Sequence, residues 1–231
     1  MVDSRRVAQR SVQRVRTPRG RPAWVRATTI GQAWLAVADQ ILRDGGVGRW
    51  DGLPLREILR CTLEIDAPAA DDPIIAQHAD PERLAWMHAN FTDHARVPAL
   101  GDADSYATRL YDYARAGRDQ IAWVRDKLRS DPDVRDATIT TFQPLTDTSY
   151  VPCISLLDFW LADSALYLAG YAHGIDFGTK GYANLVELAA LQQQVARDLG
   201  ASVGSLTMTV KSAHVYDTEL DLMRDILAAA R

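Results

Sequence analysis

Residues 151–172 read VPCISLLDFWLADSALYLAGYA, and this stretch decides among the fold classes open to the chain. The Val-Pro step favours extended backbone, because the proline ring crowds the helical conformation of the residue before it. Cys153 therefore stands at the mouth of a strand that runs into apolar sequence. From Ile154 onward the run reads as a hairpin, two strands with a turn at Ala162, Asp163 and Ser164. Downstream, ANLVELAALQQQVARDLG has the spacing of a long helix stopped by Gly200, and SLTMTVKSAHVY reads as a last strand before a short C-terminal helix. Upstream, PERLAWMHANFTDHA and RDQIAWVRDKLRSDPD read as helices, the second ending near Pro132, with ATITTFQP between it and the hairpin. Strands and helices mix without strict alternation, so the expected fold class is α+β, a layered domain, rather than a doubly wound one.

Nearer the N-terminus, WVRATTIGQAWLAVADQILRDGG reads as a short strand leading into a helix that carries Ala33, Leu35, Ala36, Ile41 and Leu42, with Thr29 as its cap. The cluster Gly45, Gly46 and Gly48 is expected to end that helix, and REILRCTLEID to follow as a strand. A phosphate-binding glycine loop needs a strand before it and a helix after it; here the order is reversed, so that reading fails.

Composition sets wider bounds. The chain has 231 residues, 47% hydrophobic and 24% charged, which is ordinary globular composition and enough for one core without disulfides or metals. No apolar run is long enough to span a bilayer, and the Arg-rich opening lacks the apolar stretch of a secretory signal. A cytoplasmic location is the expectation. Two cysteines, Cys61 and Cys153, fit a reducing compartment better than a disulfide scaffold. The net charge of -4 argues against a nucleic-acid protein, although residues 1–26 are strongly basic. The domain expectation is an Arg-rich, flexible tail over 1–26 and one catalytic domain over 27–231, with no repeats and no internal linker.

A lone intracellular cysteine is more often packing than chemistry. Around Cys153, however, Tyr171, His173, Asp176, Asn184, His214 and Tyr216 are polar or amphipathic groups set in or beside apolar strands and a helix start. Buried polar groups need partners. Either they share a ligand, or each satisfies local backbone, as Asn184 would by capping the helix it opens; these residues alone leave both readings open.

The order Pro152-Cys153, then Asp176, then Asn184, then the terminal SAHVY resembles the thymidylate synthase family, above all its short methanogen forms. The resemblance is specific over about residues 100–220 and looser before that. It implies that Cys153 is the nucleophile, that Asn184 reads the pyrimidine amide edge, and that His214 and Tyr216 bind sugar hydroxyls. The family's Arg-Ser-x-Asp element falls on His173, Gly174, Ile175 and Asp176, so its Arg and Ser are replaced. SYATRLY resembles the family segment that puts its active-site tyrosine at Tyr106. PERLAWM resembles the helix bearing the catalytic glutamate, here Glu82, and Arg49 matches the phosphate arginine of a mobile loop. Of the two arginines that reach the neighbouring subunit's phosphate, Arg135 remains and Asp136 takes the second place.

That resemblance further implies a mixed sheet packed by helices, one sheet face forming a homodimer interface, and 5,10-methylenetetrahydrofolate or tetrahydromethanopterin as co-substrate, with no metal. A thiolate adding to C6 of uracil makes C5 nucleophilic. A thiol of pKa about 8.5 needs a cation or hydrogen bonds to ionise at neutral pH, and Arg135 from a second subunit is one source. The amide of Asn184 suits the O4 and N3–H of uracil better than cytosine. Methylation of a uracil nucleotide or nucleoside is the leading expectation. Hydroxymethylation or related tailoring of a pyrimidine in specialised biosynthesis, and a non-catalytic nucleotide-binding homologue, are the alternatives. The segment from Phe91 to Tyr106 holds no tryptophan, which leaves exclusion of water from the site open. With His173, Gly174 and Asp136 in place of the family's groups, a weakened phosphate site is also expected.

Overall fold

A computed structural model describes residues 22–230; the flexible-tail expectation for residues 1–21 lies outside the described residues. The chain opens with β1 (Ala23–Ala27), α1 (Ile30–Asp44), β2 (Gly46–Trp50) and β3 (Leu53–Ile65). It continues through α2 (Pro73–His78), α3 (Pro81–Thr92), the short strands β4 (Arg96–Val97) and β5 (Ala103–Asp104), α4 (Tyr106–Tyr111) and α5 (Gln120–Ser130). The second half is β6 (Thr138–Thr140), β7 (Ile154–Ala162), β8 (Ala165–Ala172), β9 (Ile175–Asp176), α6 (Gly181–Leu199), β10 (Ser202–Tyr216) and α7 (Leu220–Ala229).

The main sheet runs β1-β3-β10-β8-β7-β6, with β2 paired to β3 and β9 to β10. β1 lies parallel to β3, and β8 and β9 lie parallel to β10, while the remaining pairs are antiparallel. This is the mixed sheet of an α+β fold. The 151–172 hairpin forms as read: Asp163 and Ser164 have φ of 48° and 61°, the paired left-handed backbone of a type I′ turn.

Two local readings need correction. β1 begins at Ala23, so the last residues of the expected tail belong to the sheet, in register with Cys61–Ile65. Gly45 does cap α1, its N–H bonded to the Ile41 carbonyl, but Gly46 and Gly48 are strand residues rather than turn. They pair with Glu57 and Leu55 across a hairpin whose turn is Asp51-Gly52, φ 46° and 79°. A Cβ at position 48 would sit 2.6 Å from the Glu57 carboxylate and 2.8 Å from Leu55 Cδ1, so a larger residue there would have to displace both side chains.

Helices cover one face of the sheet. α1 buries Ile30, Trp34, Val37 and Ile41, and α6 buries Leu185, Leu188 and Val195, in one core with Leu63, Leu168, Leu206 and Met208. Fully burying each such side chain contributes about 1.5–3 kcal/mol. α1 starts where the Thr29 hydroxyl accepts from the Gln32 N–H, and α6 ends at Gly200, φ 67°. Cys61 is fully buried in this core, and burial pushes its thiol up to about 12.

The opposite face carries a row of residues joined strand to strand: Trp24, Thr62, Thr209, Tyr171 and Leu156. Trp24, Tyr171 and Leu156 are exposed there, so Tyr171 points away from the helix side of the sheet. Among the described residues no helix is long and apolar enough to cross a membrane.

Candidate functional site

A cleft of about 540 Å³ opens at the end of β10 and β9, walled by the β2–β3 hairpin, by α3 and by residues 149–153. Cys153, Tyr106, His173, Asp176, Asn184, His214, Tyr216 and Arg49 all line it. Glu82 and Arg135 do not. Glu82 stands exposed in the first turn of α3, where Asp80 caps its N–H at 2.8 Å and Pro81 occupies the first helical position. Asp-Pro-Glu is the sequence of a helix start, and an acidic side chain there favours the helix dipole, which accounts for Glu82 without the cleft. Arg135 is exposed beside β6, its guanidinium held on the Asp133 carbonyl, while Asp136 pairs with Lys127 at 2.8 Å.

Cys153 is anchored from both sides. Its carbonyl accepts from the His173 N–H at 3.0 Å, and the Tyr106 hydroxyl accepts from the next N–H, that of Ile154, at 2.9 Å. Tyr106 opens α4, and the Asn90 side-chain oxygen accepts its backbone N–H at 2.9 Å. The ladder between β7 and β8 slips just after Ile154, a bulge of the kind that redirects backbone beside a site. Burial pushes the Cys153 thiol up, the Lys180 ammonium and the Tyr150 hydroxyl pull it down, and Asp176 opposes them.

β10 supplies Ser212 and His214 at alternate positions. The Ser212 hydroxyl donates to Glu57 at 2.6 Å, and His214 Nδ1 lies 3.2 Å from the Ser212 carbonyl. A proton on Nδ1 leaves Nε2 as the acceptor. Burial lowers the pKa of both His214 and His173, so both are neutral at pH 7. Asn184 lies within the first turns of α6 rather than at its cap; its side-chain N–H donates to the Lys180 carbonyl at 3.0 Å.

A second carboxylate stands behind Asp176. Thr179 Oγ1 is 2.8 Å from Asp176 Oδ2 and 3.1 Å from Glu219 Oε1. A hydroxyl has one proton and satisfies one of these acceptors, so the arrangement is complete when a carboxyl brings its own. The Gly178 N–H donates to Asp176 Oδ1 at 2.8 Å, and a Cβ on Gly178 would lie 2.1 Å from Glu219 Oε2. Burial, then the neighbouring Asp176 charge, raises Glu219 from 4.5 to about 7. A raised acid favours the fold fully below its unfolded pKa, and that contribution is lost as pH climbs through the folded one. The thermal midpoint should therefore fall between pH 4.5 and about 7 through this group, and Glu219→Gln should flatten that part of the profile. An unchanged slope in calorimetry would show that the pair does not hold the proton.

Several cleft residues escaped the sequence reading. Glu57 is buried opposite His214, at an inward position between Leu55 and Leu59, a signal available from strand alternation. Trp86 and Asn90 share a helix face at i and i+4. Trp86 brings to the cleft the tryptophan that the 91–106 segment lacks. Tyr150 and Lys211 carried no local signal, and Lys180 also lines the cleft.

Known proteins agree with this geometry. The family described as thymidylate synthase matches residues 39–230. The "Putative thymidylate synthase" of Methanosarcina barkeri is 31% identical over 211 residues, covering 88% of this chain and 94% of that protein. The protein so described in Methanothermobacter thermautotrophicus is 26% identical over 216 residues, covering 88% and 97%. The deoxyuridylate hydroxymethyltransferase of Bacillus phage SP01 is 36% identical over 105 residues, 42% of this chain and 27% of its own length. A cysteine held at a strand mouth, facing a carboxylate, an amide, a histidine and a tyrosine across one cleft, fits these matches, and the chain belongs to the thymidylate synthase family as a one-carbon transferase of that type.

Proposed function

We propose that the chain transfers a one-carbon unit to C5 of a uracil nucleotide or nucleoside, with Cys153 adding to C6, and that the usual outcome is methylation. The observation that carries this reading is that Cys153, Asn184, His214 and Tyr216 line one cleft. The amide of Asn184 is suited to O4 and N3–H, and His214 Nε2 with the Tyr216 hydroxyl to sugar hydroxyls. When the Cys153 sulfur bonds to C6, the ring electron pair moves to C5, which becomes the attacking carbon. Proton movement at O4 and C5 requires a carboxylate within the cleft, and Glu57 and Asp176 are positioned for it where Glu82 is not.

The remaining part of the cleft fits a reduced pterin. Trp86, Leu100 and Tyr150 are aromatic and apolar groups in its lining, and Asp176 offers an acceptor to ring N–H groups. Methylenetetrahydrofolate, or the methanopterin equivalent, supplies the one-carbon unit and, for methylation, the hydride. Trp86 supports the dry site that hydride transfer needs. Hydroxymethylation is the second reading, favoured by the name of the phage relative.

Intact-protein mass spectrometry with 5-fluorodeoxyuridylate and methylenetetrahydrofolate should show a covalent adduct on Cys153, and no adduct on folded protein would overturn the reading. Dihydropterin formed in step with product identifies methylation; turnover without it identifies hydration.

We also assign a two-fold homodimer through the outer sheet row of Trp24, Tyr171 and Leu156, with Arg135 crossing into the partner's cleft. Arg135 does not line the cleft of its own chain, which supports the crossing. Light scattering should give twice the chain mass, and an active monomer would remove Arg135 from the site.

A further inference from the structure

The sulfur that must carry negative charge has little cationic help from its own chain. Arg49 is held at the rim on the Gly52 carbonyl. Arg109, almost fully buried, spends its guanidinium on Asp147 and on the carbonyls of Thr141 and Asp104. His173 stands where the family resemblance places an arginine, and it is neutral at pH 7 because of burial. Two other donors share the sulfur's cleft: the Tyr150 hydroxyl and the Lys180 ammonium line it with Cys153, and both pull the thiol down.

We propose that Tyr150 is a catalytic residue, whose hydroxyl donates to the Cys153 sulfur and holds the charge that develops there, with Lys180 as the second support. The assignment rests on Cys153 being the nucleophile. Tyr150 is well placed for a fixed donor because the loop that carries it is tied down: Asp147 accepts from the Gln143 N–H at 2.7 Å and from Arg109 at 2.7 and 2.8 Å. The backbone at Cys153 is fixed as well, its carbonyl held by the His173 N–H and the next N–H by the Tyr106 hydroxyl. Burial and the neighbouring sulfur keep the Tyr150 phenol protonated far above neutral pH, so it remains a donor when the thiol ionises. The thiol proton leaves to solvent through the cleft while Tyr150 keeps its own. A hydroxyl donor to an anion is strong because the charge assists the bond. Asp176, which opposes the thiolate, lines this cleft too, as do Tyr106 and Tyr216.

The test is the pH dependence of Cys153 alkylation by iodoacetamide in the full-length protein, followed by peptide mass spectrometry. The reaction forms a sulfur–carbon bond, expels iodide and reports thiolate fraction without substrate. Tyr150→Phe keeps the ring and removes one oxygen; it should move the midpoint upward and slow alkylation at pH 7 about tenfold or more. Lys180→Met, at an exposed position that leaves the core intact, should shift it in the same direction. Tyr113→Phe, whose hydroxyl donates to the Phe142 carbonyl outside the cleft, should shift nothing. A Tyr150→Phe profile that superimposes on the wild type overturns the proposal, and so does an equal shift in Tyr113→Phe. These outcomes separate from the fluoropyrimidine assay: an adduct with an unshifted profile leaves Cys153 the nucleophile and removes Tyr150. A shifted profile without any adduct keeps Tyr150 as the thiolate's donor and removes the transfer reaction.

Discussion

Cys153→Ser should lower turnover by about 10,000-fold or more while leaving the thermal midpoint near that of the wild type. Serine is close in size to cysteine, and the position is held by backbone contacts to His173 and Tyr106 that do not involve the side chain. A hydroxyl in the same cleft would have to ionise against the burial that already pushes the thiol up. With no covalent bond at C6, the C5 carbon never becomes nucleophilic. Binding should survive, since Asn184, His214 and Tyr216 are untouched. Calorimetric titration of the uracil nucleotide together with product formation measures both halves; residual turnover within a hundredfold of the wild type would mean that the bond to C6 is formed elsewhere.

Asp147→Ala should cost about 3–5 kcal/mol of stability, the range for leaving one member of a buried ion pair unpaired. The Arg109 and Asp147 side chains are 2% and 10% exposed, and two short contacts join them. Without Asp147, Arg109 retains carbonyl acceptors but no counter-charge. For a chain of this size the thermal midpoint should drop by roughly 6–20 °C. Asp147→Asn keeps the acceptor oxygen and should lose less. Urea unfolding of the two variants separates charge from hydrogen bonding, and a loss under 1 kcal/mol in Asp147→Ala would show that water reaches the pair. Because the same carboxylate holds the Gln143 N–H, the variant also loosens the approach to Tyr150.

What the sequence disclosed follows from how local each signal is. The β7–β8 hairpin, α6 and its Gly200 stop, and the Thr29 cap depend on neighbours a few residues away, and all form where read. The Asp51-Gly52 hairpin turn was equally local, but the glycines before it drew the reading to a loop. The cleft is legible where residues lie near the cysteine and final-strand motifs, as His173, Asp176, His214 and Tyr216 do. Glu82 came from the likeness of PERLAWM to a family helix, and such a likeness does not carry the helix's rotation: Trp86, Met87 and Asn90 line the cleft and Glu82 does not. Glu57 meets Ser212 through pairing between distant strands, and Tyr150 enters the cleft on a loop tied to Arg109; neither partner can be read from neighbours in the sequence.

The close approach of Gly178 to Glu219 ties the histories of two positions far apart in the chain. A first side-chain carbon at 178 would fall 2.1 Å from the Glu219 oxygen as that side chain now lies, so the glutamate would have to move off Thr179 and the Tyr216 N–H. A lineage that carries both residues can change 219 first, to something shorter, and then 178, whereas the reverse order displaces the carboxylate beside Asp176. Positions 178 and 219 should therefore drift as a pair with a preferred direction, and descendants that have lost the glutamate are the ones free to lose the glycine.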